Sequence, residues 1–420
     1  MKKLYVHYEG QIVGQLTQDD DLIYSYQYND NWLNNKNSFP ISLSLPLQKE
    51  AFGNRLSLSF FENLLPEGDV KKEIEEAQAL KGVFSFLEQF GKDCAGAITV
   101  SRSFEIPPNT GKNKIEIDLQ KIYSAMEEKR AIANVIAEEN PGYLSLAGAQ
   151  DKFPGIYHNS RLYLPIEGQP TTHIIKAPIW RHNIKESVYN ELYIMQLAKS
   201  VGFQIPNCFI LKGPHPLFII ERYDRYFKKN KDVRRIHQQD FCQAQGIVSD
   251  KKYEKEGGPS IRANYDLILK HVSPKKRLES VETFLKWICF NLIVGNNDCH
   301  SKNISFLYNE GKVELTPFYD LLSTTVYPKL IRAFAYKIGQ TTEYHKMSTK
   351  EFHLTERLIG VKEGKLITIF NLVLQKILKE RKAITQKLMV EYPEVKIFST
   401  INEDIDLRVK TFKNQNIINE

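Results

Sequence analysis

The chain has 420 residues, 42% of them apolar and 11% aromatic, enough to build sizeable cores and to exclude wholesale disorder. Its 57 basic and 50 acidic residues leave a net charge of +7, which permits anionic partners such as nucleotides but is mild beside the local bias of a dedicated DNA-binding domain. The five cysteines (Cys94, Cys208, Cys242, Cys289, Cys299) are scattered without CxxC spacing and imply neither a zinc site nor a disulfide framework.

Lys3 to His7 alternates, Glu9-Gly10 turns, and Gln11 to Leu16 alternates again, which predicts a hairpin. Ile41 to Leu47 is a further strand expectation. Leu58 to Leu65 is apolar and stops at the turn signal Pro66-Glu67-Gly68; helices are expected over Asp69 to Leu80 and Val83 to Phe90, then a strand over Cys94 to Val100. Residues 102–118 are polar, carry Pro107, Pro108 and Gly111, and read as a linker before a helix around Asp118 to Ala133.

From Leu144 to Arg225 the pattern is strand-rich. Leu162 to Ile166, His173 to Lys176 and Leu217 to Glu221 are short apolar runs, and Glu186 to Val201 between the last two is helical and closed by Gly202. Beyond residue 237 helices dominate: Ala263 to His271, Val281 to Val294, Lys350 to Leu358 and Lys365 to Lys387. Strands Ile304 to Tyr308 and Lys312 to Leu315 interrupt them around Asn309-Glu310-Gly311. No window approaches the roughly 20 apolar residues of a membrane span, and the start lacks the apolar stretch of a signal peptide. The expected setting is the reducing cytoplasm.

The expected fold class is α+β, with a bilobal, protein-kinase-like body behind a small β-containing module. Its expected parts are an N-terminal module over 1–105, a linker and helix over 106–136, a strand-rich lobe over 137–225 and a helical lobe over 226–420.

The chemistry concentrates in Gly295 to Asn303. Phosphoryl transfer needs a carboxylate near the attacking hydroxyl, oxygen ligands for Mg²⁺ and a cation on the nucleotide phosphates. Asp298 and Asn303 stand five apart, the Asp-to-Asn interval of a kinase catalytic loop, and Asp320 follows Asn303 by 17 residues, where a metal-holding carboxylate belongs. Each piece alone has a plainer explanation: an Asn/Asp-rich turn after a helix gives the same spacing. Their order after other kinase-like parts is what carries the reading. Ser145 to Lys152 is a run of small residues suited to close phosphate approach, Lys176 ends an apolar strand, and Glu191 in the next helix is placed to pair with it. Glu221 to Asp224 stands where an adenine-contacting hinge is expected. His300 orients Asp298 or touches phosphate. Cys299 has no role in direct in-line transfer, Cys242 and Cys289 read as core, and Lys228, Lys229, Lys231, Arg234 and Arg235 read as a solvated basic loop.

These residues resemble the HipA-type kinases, toxin halves of bacterial toxin–antitoxin pairs. The resemblance spans nearly the whole chain. It runs through Leu64 to Gly68, Gly91 to Ala97, Ser145 to Lys152, Thr172 to Lys176, Glu221 to Arg225, His237 to Ala244, Gly257 to Ser260, Gly295 to Asn303 and Tyr319 to Ser323. It implies an ATP- and Mg²⁺-dependent serine/threonine kinase in which Asp298, with His300, serves the acceptor hydroxyl, and Asn303 and Asp320 hold Mg²⁺. It further implies that Ala147, Gly148, Ala149, Gln150, Lys152, Lys176 and Lys302 bind the nucleotide, with the Glu221–Tyr223 backbone on adenine and Asp224 near the ribose. Ser145 matches the serine that such kinases autophosphorylate, a modification that repels ATP or rearranges the loop. The implied partners are a HipB-like helix-turn-helix antitoxin, operator DNA through it, and a protein substrate such as an aminoacyl-tRNA synthetase. There is no His-Arg before Asp298, Tyr-Asp-Leu stands in place of Asp-Phe-Gly, and the Asp298-x-His300 form also resembles phosphoinositide-kinase loops. A lipid or small-molecule kinase of the same fold and a catalytically silent nucleotide-binding co-repressor therefore stay open.

Overall fold

The predicted hairpin forms: Lys2–Tyr8 pairs antiparallel with Gln11–Gln18 around Glu9 and Gly10, both at positive φ, with a register shift between Val6 and His7. The computed structural model describes every residue outside 106–113, 140–147, 149, 167, 181–183, 228–232, 310 and 419–420. Its residues group into two units, the first comprising 1–177, 207–250 and 306–311, the second 178–206, 251–305 and 312–420.

In the first unit the hairpin belongs to a four-stranded antiparallel sheet ordered Tyr24–Tyr28, Gln11–Gln18, Lys2–Tyr8, Thr99–Ser101. Alternation buries Leu4, Val6 and Leu16 on one face, as period-two patterning requires, and Val13 is buried at the register shift. The helices Asn54–Glu62, Gly68–Ala77 and Gly82–Phe90 supply Phe60 and Phe61, Val70 and Ile74, and Phe84, Phe86 and Phe90 in turn to the same core. The strand expected over Ile41 to Leu47 does not form. There the backbone is satisfied by side chains instead: Ile41 N–H donates to Tyr28 Oη, Leu43 N–H to Gln239 Oε1, and Tyr28 Oη donates to the Leu45 carbonyl. Cys94 to Val100 is likewise strand only at its end, because Gly96 turns the chain at φ +83°.

The unit's second sheet is six-stranded and antiparallel, ordered Lys114–Glu116, Arg161–Pro165, Lys152–His158, His173–Lys176, Leu217–Glu221, Cys208–Leu211. The single helix expected before it is two, Leu119–Glu127 and Ile132–Glu139, broken at Lys129 with φ +58°. The second helix is started from a distance, since the Asp151 carboxylate accepts from Ile132 and Ala133 N–H.

The second unit is helical. Ser187–Val201 ends at Gly202 as predicted, with φ +109°, and packs with Lys365–Glu391 and Ile397–Asn414; the last helix lies beyond every predicted element. Ile261–His271 packs against both Thr349–Ile359 and Pro274–Val294, and the proline of the latter sits in its first turn while its C-terminal half is buried on all sides. The Glu356 carboxylate accepts from Gly364 and Leu366 N–H and so caps Lys365–Glu391. All five cysteines are free, and Cys242 and Cys289 are core, as expected. Among the described residues no helix is long and apolar enough to cross a membrane.

Candidate active site

The buried helix Pro274–Val294 ends at Gly295, φ +70°, where a Cβ would lie 2.1 Å from Thr325 Oγ1 and 2.8 Å from Arg408; only glycine lets the chain turn here. The loop that follows is held by its own polar side chains. Asn296 Nδ2 donates to Asn291 Oδ1, and Asn296 Oδ1 accepts from Asp298 N–H. Asn297 N–H donates to Thr324 Oγ1, Tyr344 Oη donates to Asn297 Oδ1, and Ser301 contacts Asn264 and Tyr336. From Leu292 to Phe306 every residue is buried except Asp298, whose side chain is 46% exposed. One loop therefore presents one carboxylate.

Asn303 Nδ2 donates to the Asp298 carbonyl at 2.7 Å, so the two predicted residues are joined through the main chain. This bond uses the amide nitrogen and leaves the amide oxygen as the group suited to a cation. His300 is also brought to Asp298, with Nε2 3.6 Å from Oδ1. Asp320 follows a segment laced to the loop on both sides: Tyr319 Oη donates to the Lys302 carbonyl and meets Ser305 Oγ, while Thr324 N–H donates to the Gly295 carbonyl. Asp320 itself holds φ +51°, a conformation that aspartate tolerates better than most side chains. The described residues contain no group of three or more His, Cys, Asp and Glu side chains able to hold a metal. An amide oxygen and one carboxylate nevertheless suit Mg²⁺, which keeps waters and takes few protein ligands. Burial, and then the Asp298 charge, push the Cys299 thiol far above its usual range, consistent with a residue that packs and does not react.

In the first unit Lys176 is buried at the end of His173–Lys176, directly across the ladder from Lys152. Gly148 at φ +111° accepts Glu67 N–H on its carbonyl, and a Cβ there would meet Lys152 Nζ at 2.8 Å. Gln150 Nε2 donates to the Ala177 carbonyl. Ser145, Ala147 and Ala149 lie outside the described residues. Glu221 N–H donates to the Asn207 carbonyl and Tyr223 Oη to Gln238 Oε1. Glu191, in the second unit, is buried in Ser187–Val201, and Lys302 is buried beside Asn303.

Asp224, expected beside a ribose, is occupied by the protein. Its oxygens take Arg222 Nε and Nη2, Arg225 Nη1 and Gly96 N–H. Asp93 completes the network, accepting from Arg222, Arg225, Arg235, Thr171 N–H and Thr171 Oγ1. Burial works against the Asp93 charge, but Arg225, Arg222 and Arg235 outweigh it and hold the carboxyl well below the usual range. Arg235, read from sequence as part of a solvated loop, thus belongs largely to a buried ion cluster, while Arg234 pairs with Glu9 at the surface. The sequence offered no signal for this cluster, because Gly96 and Asp224, like Cys94 and Arg222, stand 128 residues apart, although both motifs that carry it were visible. Tyr253, whose hydroxyl donates to Asp298 Oδ1, was also missed.

Comparison with known proteins now decides the family. Residues 144–381 match the model of the HipA-like C-terminal domain and residues 4–101 that of the HipA N-terminal domain. The chain belongs to the HipA family. A Sinorhizobium fredii protein with a provisional kinase name is 36% identical over 374 residues, 86% of each chain. The serine/threonine-protein kinase toxin HipA of Shewanella oneidensis is 29% identical over 386 residues, covering 88% of this chain and 86% of that one. The solved Shewanella oneidensis HipA, in complex with HipB and operator DNA, superposes with a TM-score of 0.82 at 24% identity over 98% of this chain and 97% of the other, so the kinase-like α+β fold is that of HipA. Within this HipA-family chain the longer matched segment carries Lys176, Asp298, Asn303 and Asp320, and the shorter one carries Asp93 and Gly96.

Proposed function

We propose that this HipA-family chain is a serine/threonine protein kinase that transfers the γ-phosphoryl group of ATP to a hydroxyl of a cellular protein. The observation that carries the reading is the partial exposure of Asp298 in a loop whose other residues are buried. In that role Asp298 orients the acceptor hydroxyl and takes its proton as the oxygen attacks the γ-phosphorus; the bond to the β-phosphate oxygen breaks and ADP leaves. Asn303 and Asp320 supply the oxygens for Mg²⁺, which when bound screens the phosphate charge. Lys152 and Lys176, opposite one another on neighbouring strands, we assign with Gly148 and Gln150 to the phosphates. The Glu221–Tyr223 backbone is assigned to adenine. Asp224 we move from the ribose to the structural frame.

On this reading the kinase is the toxin of a pair. It is neutralised by a helix-turn-helix antitoxin bound to operator DNA, silenced by self-phosphorylation at Ser145, and acts on a protein such as an aminoacyl-tRNA synthetase. The likeness to the HipA solved with HipB and DNA supports the antitoxin assignment. The test is incubation of the full chain with Mg²⁺ and [γ-³²P]ATP. Wild type should label itself at Ser145; Asp298→Ala and Asp320→Ala should not; Ser145→Ala should still label proteins in a lysate. Full labelling of Asp298→Ala overturns the assignment.

A further inference from the structure

We infer that Tyr253 is a positioning residue for the transfer carboxylate, fixing Asp298 through Oδ1 so that Oδ2 is the oxygen offered to the acceptor. This rests on the assignment of Asp298 above. Tyr253 Oη donates to Asp298 Oδ1, and His300 Nε2 stands 3.6 Å from the same oxygen. Oδ2 has no partner among the described residues, and the side chain is about half exposed. An unrestrained carboxylate rotates and interchanges its oxygens, whereas one held at Oδ1 presents a single oxygen in a single direction. That matters because misplacing a reacting group by about 1 Å costs on the order of 10²-fold in rate.

The two groups beside Oδ1, the Tyr253 donor and the His300 ring, pack together. The Tyr253 ring meets the His300 ring edge-on, centroids 5.0 Å apart and planes at 85°. Burial, followed by the neighbouring Asp298 charge, pushes the Tyr253 hydroxyl far above the usual tyrosine range, so it remains a donor throughout the working pH range.

The chain around Tyr253 is built to hold it. The short helix Glu254–Glu256 is closed by Gly257 at φ +86°, and Gly258 N–H returns to the Tyr253 carbonyl at 3.0 Å. A Cβ at Gly258 would fall 2.1 Å from the Lys251 carbonyl oxygen and 2.7 Å from that of Tyr253, so the turn requires glycine there. The far side is anchored by Lys337 N–H donating to Glu254 Oε2 at 2.8 Å. This accounts for the Gly257-Gly258 pair, which the transfer chemistry itself does not use.

The experiment is a double-mutant cycle on the full chain, using Tyr253→Phe and Asp298→Asn with Mg²⁺ and [γ-³²P]ATP. It reads self-labelling, phosphate release to water, the half-saturating ATP concentration and the thermal midpoint. Tyr253→Phe should slow transfer about 10- to 100-fold with half-saturating ATP and midpoint unchanged. In the Asp298→Asn background the same change should have no further effect, because Tyr253 acts only through the carboxylate. Three results overturn the inference: a wild-type rate for Tyr253→Phe while Asp298→Asn is slow, an equal loss in both backgrounds, or a lowered midpoint accompanied by weaker ATP dependence. A fast Asp298→Asn protein, or a wild type that neither labels itself nor releases phosphate, instead overturns the assignment of Asp298 beneath it.

Discussion

The main-chain N–H of Gly96 donates to Asp224 Oδ2 at 2.7 Å, and the Gly96 carbonyl accepts from Arg225. A Cβ at this position would lie 2.9 Å from Gln238 N and 3.1 Å from His237 Nδ1. Three sequence motifs, around Asp93, Arg222 and His237, therefore converge on one residue without a side chain. Gly96→Ala adds both left-handed strain and a backbone clash. It should lower unfolding free energy by about 2 kcal/mol or more, read as a fall in the urea midpoint.

Asp93 and Asp224 face Arg222, Arg225 and Arg235 in the interior. Asp93→Asn leaves that cluster with one carboxylate for three guanidinium groups, and removal of one partner from a buried pair costs about 3–5 kcal/mol. The variant should be strongly destabilised in urea. Because the folded Asp93 carboxyl is depressed, its contribution is present above the unfolded-state value and is lost as pH falls towards the folded one, so wild type and variant should converge at strongly acid pH.

Burial pulls the imidazoles of His173 and His237 down to about 4. Both are used as neutral rings: Tyr157 N–H donates to His173 Nδ1, and His237 Nε2 pairs with the Ile41 carbonyl. Between the ordinary value of 6.5 and 4 the unfolded chain binds more protons than the folded one, so stability falls as pH drops through that window. At about 1.4 kcal/mol per unit the loss approaches about 3 kcal/mol for each histidine by pH 4. Urea midpoints at pH 7, 5.5 and 4.5 should decline in step, and NMR titration should find two rings still neutral near pH 5.

Asp320 occupies φ +51°. Asparagine tolerates that conformation, so Asp320→Asn should leave the thermal midpoint unchanged while lowering Mg²⁺-dependent labelling at least about 100-fold. Asp320→Ala should lose the same activity and, in addition, about 1 kcal/mol of stability.

Tyr319→Phe removes the hydroxyl that ties the Asp320 segment to Lys302 and Ser305. Transfer should slow about 10-fold with a raised Mg²⁺ requirement and little change in midpoint, measured by labelling across a Mg²⁺ titration.

The geometry of the proposed transfer loop was readable from sequence because its bonds are local: Asp298 and Asn303 are joined within one turn, and Asp320 follows a short pair of strands. The helices over Glu186 to Val201 and Lys365 to Lys387 were readable because their apolar spacing and the closing Gly202 act within a few residues. What escaped depended on partners far along the chain. Ile41 to Leu47 alternates like a strand, yet Gln239 and Tyr28 take its hydrogen bonds. The break at Lys129 is stabilised by Asp151 and Glu73, neither of which a window around residue 129 contains. Tyr253 lies 45 residues from the carboxylate it holds, and no spacing rule joins them.

Arg222 and Arg225 reach back to the carboxylate of Asp93 and to the carbonyls of Cys94 and Gly96, all within the shorter of the two segments that the family models match separately. A cut placed in the polar stretch after residue 101 would remove the Asp93 carboxylate and the Cys94 and Gly96 carbonyls from these two guanidinium groups, leaving Asp224 and Thr171 as their acceptors. Part of the counter-charge for Arg222 and Arg225 thus comes from the leading hundred residues, so within the first unit the shorter matched segment completes an ion cluster begun by the longer one.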